Sequence, residues 1–170
     1  MGLLYLQGVS QMEKFMAYFR RITLVNFAGI VMLFLLPFVT VSCGGMSAGE
    51  LSGKDLTFGT RIEHVQPMTQ RKQTTMVKKE LSAVVALVAA IAGIVGSLLF
   101  KGRVHARWVL MLSVVGTSAM LWLQNALNTQ ALSQGQGMLV LDWRPAYWLA
   151  LGLFVSAGVL ALVWFRSSDE

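Results

Sequence analysis

Residues 34–45 of the chain read FLLPFVTVSCGG, and this stretch separates a long apolar run from a long polar segment. It contains Cys43, the only cysteine of the chain, and a proline, Pro37, that interrupts the apolar run. A proline within a helix removes one backbone hydrogen bond and kinks the helix. We therefore expect Pro37 to kink the outer third of a first membrane helix, and Cys43, Gly44 and Gly45 to form the exit from that helix into a loop.

The composition predicts an integral membrane protein. Of the 170 residues, 55% are hydrophobic and 13% are charged, whereas a soluble domain is usually about a quarter charged. So little polar material cannot cover a globule in water. The net charge is +6, and many of the cations lie at the ends of apolar runs. This placement favours anionic phospholipids as partners and argues against nucleic acid.

Four apolar runs have about the length that a helix needs to cross the hydrocarbon layer of a bilayer. They predict an all-α fold, a four-helix transmembrane bundle, that forms one domain over residues 22–166. The expected spans cover residues 22–42, 81–100, 108–123 and 145–165, and the third is the shortest. Residues 1–21 are expected to form a cytoplasmic or interfacial amphipathic segment, or an ordinary helical lead-in to the first span. A polar tail, 167–170, is expected after the bundle.

The distribution of lysine and arginine predicts that both termini are cytoplasmic. The cations that indicate this orientation are Lys14, Arg20, Arg21, Lys101, Arg103, Arg107 and Arg166. Residues 43–80 and 124–144 then form extracytoplasmic loops. Within the first loop we expect residues 50–59 to form a small hairpin or a loop folded back onto the bundle, and residues 61–65 to form a short strand. The apolar stretch 138–143 is expected to dip into the interface or to pair with the first loop.

Two sets of residues are candidates for contacts rather than for chemistry. Small residues four positions apart let helix backbones approach closely, and they predict helix-packing faces at Ala89, Gly93, Ser97, Gly152 and Ser156. A short basic loop between the second and third spans predicts contacts with anionic lipid headgroups. Its residues are Lys101, Arg103, His105 and Arg107.

The four predicted spans contain no Asp, Glu, Lys, Arg or His. Ionisable groups inside a membrane are costly and are usually functional where they occur. A proton-coupled multidrug transporter would need a membrane carboxylate, and a four-helix haem cytochrome would need axial histidines in the bundle. A quinone-linked disulfide oxidase would need cysteine pairs. We therefore expect no catalytic residue, no cofactor and no metal site, and a protein that is not an enzyme.

Residues 37–45 and 51–59 carry a resemblance to a known group of proteins. The first range contains a Pro-Phe-x-x-x-Ser-Cys-Gly-Gly segment, and the second contains a Ser-Gly-x-x-Leu-x-x-Gly segment. This arrangement resembles uncharacterised small bacterial four-helix membrane proteins in which these segments end the first helix and form the following loop. The resemblance implies the bacterial cytoplasmic membrane as the location, and it implies no activity.

Three functions remain open at this point. The first is a non-catalytic accessory or structural subunit of a larger membrane assembly, such as a respiratory or photosynthetic complex, with other membrane subunits as partners. The second is an envelope sensor or partner-binding protein that uses residues 43–80. The third is a small transporter or channel lined by neutral polar groups, with Asn26, Ser113 and Thr117 as the candidates.

Overall fold

The computed structural model describes the backbone of residues 2–43, 46–65, 72–77, 79–100, 102–134 and 139–167. Side chains are described for 18–42, 49–59, 79–100, 102–132 and 140–166. The chain is mostly helical, with two small sheets. Its elements in chain order are α1 Gly2–Leu33, β1 Pro37–Cys43, β2 Met46–Ser52, α2 Gly53–Phe58, β3 Thr60–Val65, β4 Lys72–Val77, α3 Leu81–Leu99, α4 Gly102–Gln134, β5 Leu139–Trp143 and α5 Pro145–Ser167.

Three of the long helices, α3, α4 and α5, are long and apolar enough to cross a membrane. The long helices contact one another in a ring, in which α1 and α4 each touch both α3 and α5. The strands and α2 lie at one end of the helices, which we call the sheet end. The end of α3 and the start of α4 lie at the other, which we call the turn end.

Glycines allow aromatic rings to lie against the helix backbones. A Cβ built on Gly93 of α3 would lie 2.6 Å from the ring of Phe27 in α1. The indole of Trp108 occupies the same kind of space over Gly96, and the Phe154 ring does so over Gly116. These contacts join α3 to α1, α3 to α4, and α4 to α5. The core therefore depends on rings that fill spaces left by missing side chains.

The first helix ends earlier than the sequence predicts, at Leu33 and not near Ser42. Pro37 does not kink this helix; it begins β1, which ends at Cys43. The residues between them are rich in β-branched and aromatic side chains, which favour a strand. The strand pairs with β2 on one side and β5 on the other. At its other end α1 continues back to Gly2, so residues 2–21 are helical and continuous with the first predicted span, as the lead-in alternative expects.

Of the two expectations for residues 50–59, the hairpin is wrong, whereas the fully buried Leu56 shows that this segment folds back onto the helices. Residues 53–58 form α2, with Ser52 as the N-cap. The Ser52 hydroxyl accepts a hydrogen bond from the Asp55 backbone, and the Asp55 carboxylate accepts one from the Ser52 backbone. This reciprocal capping satisfies two backbone donors that a helix start leaves open. The strand expected at 61–65 is confirmed as β3, which pairs with β4.

Helix α4 corresponds to the third predicted span, 108–123, and is about twice as long. It covers 33 residues and includes most of the expected basic loop and part of the expected second outer loop. Gly102 has a positive φ of 63°, which allows the tight turn from α3 into α4. After α4, residues 139–143 pair with β1 and complete the sheet. Helices α3 and α5 begin and end within two residues of the predicted limits.

A leucine at Gly93 should destabilise the protein, because its side chain would occupy the space of the Phe27 ring. Overpacking of this kind typically costs about 1–3 kcal/mol. We expect that loss in the free energy of unfolding of Gly93→Leu, measured by denaturant titration in detergent with helicity as the signal. Gly152→Leu is the matched control, since no atom lies within 4 Å of a Cβ built there. Equal losses in the two variants would contradict the packing described here.

Candidate functional site

A buried polar cluster lies at the turn end, where all four long helices meet. It consists of Phe19, Arg20 and Thr23 from α1, His105 from α4 and Trp164 from α5, and we call it the turn-end cluster. His105 is only 3% exposed and Thr23 is fully buried. Burying a polar group costs free energy unless the group is hydrogen-bonded, so the stability of the cluster depends on the partners of its polar atoms.

Thr23 is the hydrogen-bond partner of His105, with 3.2 Å between its Oγ1 and the imidazole Nε2. The same hydroxyl lies 3.1 Å from the Phe19 carbonyl and 3.0 Å from the Arg20 carbonyl. A hydroxyl has one proton to donate. If Thr23 donates to either carbonyl, the bond to His105 requires a proton on Nε2. In a neutral ring, Nδ1 then carries the lone pair.

The Nδ1 atom of His105 is buried and has no well-formed hydrogen bond among the described residues, although the Gly96 carbonyl lies near the ring. The ring packs edge-on against Phe19, with 5.5 Å between the centroids. Phe19 in turn stacks on Trp164, with 6.1 Å between the centroids. Two aromatic rings thus connect the imidazole to α5.

Arg20 caps the last turn of α3. Its Nε donates to the Ser97 carbonyl at 2.6 Å, and its Nη2 donates to the Leu98 carbonyl at 3.1 Å. The last four carbonyls of a helix have no partner within the helix, and their end of the helix dipole is negative. A guanidinium therefore satisfies two of these carbonyls and carries a favourable charge.

The chemistry that this cluster supports is narrow. The described contacts of His105 and Arg20 are a hydroxyl, backbone carbonyls and aromatic rings. In the described part of the chain, no three His, Cys, Asp or Glu side chains form a group that could hold a metal ion. The arrangement is suited to holding four helices in register and to keeping one imidazole nitrogen away from water.

The sheet end is held by Arg144 and Tyr147. The Arg144 backbone N–H donates to the Phe38 carbonyl, while its guanidinium donates to Thr40 at 2.7 Å and to Glu50 at 3.0 Å. The Tyr147 hydroxyl donates to the Met120 carbonyl at 2.9 Å. Arg144 and Glu50 are both largely exposed, so their ion pair contributes little. The buried bonds to backbone carbonyls matter more.

The outer side of α5 carries a shallow, open groove of about 640 Å³ that is lined by residues of this helix alone. Gly152 lies within it and is exposed, and no neighbouring atom lies within 4 Å of a Cβ built there. Ser156, one turn further on, accepts a hydrogen bond from the Asn26 side chain at 3.1 Å. The remaining lining residues are Trp148, Leu151, Val155, Val159 and Leu160.

The structure places the predicted helix-packing residues in two different settings. Ala89, Gly93 and Ser97 are buried on the face of α3 that packs into the protein core. Ser156 lies between α1 and the outward face of α5, and Gly152 lies on that face with open space above it. Among the neutral polar residues considered for a channel, Asn26 bonds to Ser156, and Ser113 is buried against Gly158.

The predicted lipid-contacting residues lie in different environments. Arg103 and Arg107 are exposed at the start of α4, and Lys101 lies outside the described residues. His105 is buried beneath them and contacts Thr23, so its expected contact with headgroups is wrong. Of the predicted loop exit, Pro37 and Cys43 are the first and last residues of β1. Gly44 and Gly45 lie outside the described residues.

Sequence reasoning missed the buried position of His105 because it started the third predicted span, which corresponds to α4, at residue 108. Extended back to Gly102, the helix puts His105 four residues before Val109 and eight before Ser113, on one stripe. Val109 and Ser113 are both buried. The period of this stripe is the signal that identifies the histidine as an interior residue.

Removing the guanidinium of Arg20 should weaken the turn end, since the Ser97 and Leu98 carbonyls would lose their donors. Hydrogen bonds to charged groups contribute about 1.5–3 kcal/mol. We expect Arg20→Met to lower the free energy of unfolding by that amount, and Arg20→Lys to lower it by less. Arg21→Met, at the adjacent exposed position, serves as the control. If Arg20→Met and Arg21→Met lower the free energy of unfolding by the same amount, the cap does not stabilise the protein.

Replacing His105 with leucine should change stability by less than about 1 kcal/mol. The Thr23 hydroxyl keeps its backbone acceptors. The substitution also removes a buried nitrogen that has no well-formed hydrogen bond among the described residues. Replacing a polar group by an apolar one of similar shape is often nearly neutral when no orphan remains. Thermal unfolding in detergent measures this, with Thr23→Val as the companion variant. If His105→Leu loses much stability and Thr23→Val does not, Nδ1 has a stabilising hydrogen-bond partner.

Comparisons with known proteins give no family and no relative. No protein-family model matches the chain, and neither the curated proteins nor the solved structures contain a match. The resemblance to small bacterial four-helix membrane proteins therefore stays a prediction. The function of the chain has to be argued from its own geometry.

Proposed function

We propose that this chain is a non-catalytic integral membrane subunit that acts by packing against other membrane proteins and lipids. In this proposal α1 joins α3, α4 and α5 in a four-helix transmembrane bundle in the bacterial cytoplasmic membrane, with both termini in the cytoplasm. The length and apolar character of α3, α4 and α5 support membrane insertion. Arg103 and Arg107 are exposed at the turn end, which suits the anionic phospholipids of a cytoplasmic leaflet.

The observation that carries the proposal is the groove on the outward face of α5. Its lining from Trp148 to Leu160 covers about 20 Å of helix. Gly152 leaves the backbone open at its centre, and small residues at such positions let a second helix approach closely. An apolar transmembrane helix of a partner subunit is long enough to lie along this groove, and its surface matches the mostly apolar lining.

A second candidate function uses the sheet end. Residues 46–65 form a strand, a capped helix and a second strand. The first sheet and α2 pack on the bundle, with Leu56 fully buried and Gly53 against Phe34. A folded surface of this size supports the alternative of an envelope sensor or partner-binding protein. In that case partner binding depends on the sheet end and not on α5.

A larger side chain at Gly152 should release the proposed partner helix without harming the fold. We expect the tagged wild-type chain, extracted from native membranes in mild detergent, to migrate in a larger assembly on a native gel. Gly152→Leu should reduce the assembled fraction about tenfold, because filling a close contact costs roughly 1–3 kcal/mol. Val88→Leu, on the exposed face of α3, is the control and should assemble normally.

Two results would count against this reading. A wild-type chain that migrates only as a free monomer would remove the subunit proposal. Assembly that survives Gly152→Leu but is lost on deleting residues 46–65 would transfer the interaction to the sheet end, as the second candidate function requires.

A further inference from the structure

The β3–β4 hairpin is the one described element pair whose strands pair only with each other. No other described element packs extensively against it. A two-stranded hairpin alone in water is marginally stable at best, and each strand has an open backbone edge. Since no described element covers the hairpin, we expect a surface beyond the described residues to stabilise it.

The location of the hairpin points to the membrane surface. Its base pair is Thr60 with Val77, and α3 begins at Leu81. Helix α3 is one of the helices that are apolar and long enough to cross a membrane. The base of the hairpin thus lies next to the end of an apolar helix, at the level where the headgroups of a bilayer would lie.

The register places cations and apolar residues on one face. Directly opposed residues share a face of a sheet, and the opposed pairs Arg61–Met76, Glu63–Thr74 and Val65–Lys72 make up one of the two. That face combines two cations with two apolar residues and one carboxylate. Cationic and apolar residues together are typical of segments that lie in the membrane interface.

Two exposed lysines, Lys54 on α2 and Lys79 before α3, lie at the base of the hairpin. The carboxylates next to them in the chain are turned to partners within the protein, since Asp55 accepts from Ser52 and Glu80 accepts from Gln130. Each lysine or arginine close to an anionic bilayer contributes about 1 kcal/mol of attraction.

We propose that the β3–β4 hairpin docks on anionic phospholipid headgroups beside the sheet end of α3. The interaction depends on Arg61, Lys72 and Lys79, and it orders the hairpin against the bilayer. It is a second proposed lipid contact, and it lies at the opposite end of α3 from Arg103 and Arg107. It rests on the membrane location in the proposed function, but not on any partner subunit.

The test compares the full-length protein in nanodiscs of phosphatidylcholine alone and of phosphatidylcholine with phosphatidylglycerol. The measurement is hydrogen exchange at the backbone amides of 60–65 and 72–77. Exchange should be about tenfold slower or more in the anionic nanodiscs. Added salt should remove the difference, because it screens exposed charges. The exchange of α3 amides reports whether the fold is intact.

The triple variant Arg61→Gln, Lys72→Gln, Lys79→Gln should exchange at the same rate in both lipids. Arg103→Gln with Arg107→Gln is the matched control, and it should keep the wild-type difference at the hairpin. Equal exchange of the wild type in both lipids would overturn the proposal, as would a triple variant that still responds to lipid. Protection that appears only on adding a membrane extract would assign the hairpin to a protein instead. Failure to enter nanodiscs at all would contradict the membrane location itself.

Discussion

The backbone of β1 sets the constraint on which the sheet end depends. Where a chain leaves a helix near a membrane, its N–H and C=O groups need partners within the protein, because lipid offers none. Residues 37–43 meet this need with a strand on each side, β2 and β5. Further backbone bonds, from Lys54 to Phe34 and from Arg144 to Phe38, fix the starts of α2 and α5. Together these backbone bonds position four other elements, β2, β5, α2 and α5.

The helices are held by a different principle, the insertion of aromatic rings against glycines. Phe27 lies on Gly93, Trp108 on Gly96, and Phe154 on Gly116. Between apolar helices in lipid, close van der Waals packing replaces the hydrophobic drive of water. The contacts lie at different heights along the bundle, and the turn-end cluster adds polar bonds at one end. Residues of α5 that face outward take no part in this packing, which leaves Gly152 available.

The sequence predicts the elements whose ends are marked by both composition and chemistry. Helix α5 begins at Pro145, whose missing N–H costs nothing at a first helical position, and α3 follows a polar stretch and ends before a basic one. The limits of α1 and α4 could not be read from hydropathy alone. Pro37 is compatible with a kinked helix and with the first residue of a strand, and the pairing of β1 with β2 and with the distant β5 decides between them. Helix α4 continues past its apolar part, where Gln124 and Gln130 meet side chains from other elements.

The pairing of β1 with β5 has a consequence for the order in which the protein is made. Thr40 and Arg144, which bond across this sheet, are 104 residues apart in the chain. During synthesis β1 emerges with β2, and its second edge stays open until α3 and α4 have been made. An open strand edge invites pairing with a wrong chain. Closure of the sheet by β5 is thus a late event that only a nearly full-length chain can complete. A chain that stops within α4 leaves that edge exposed at the membrane surface, where proteases can recognise it as unfinished.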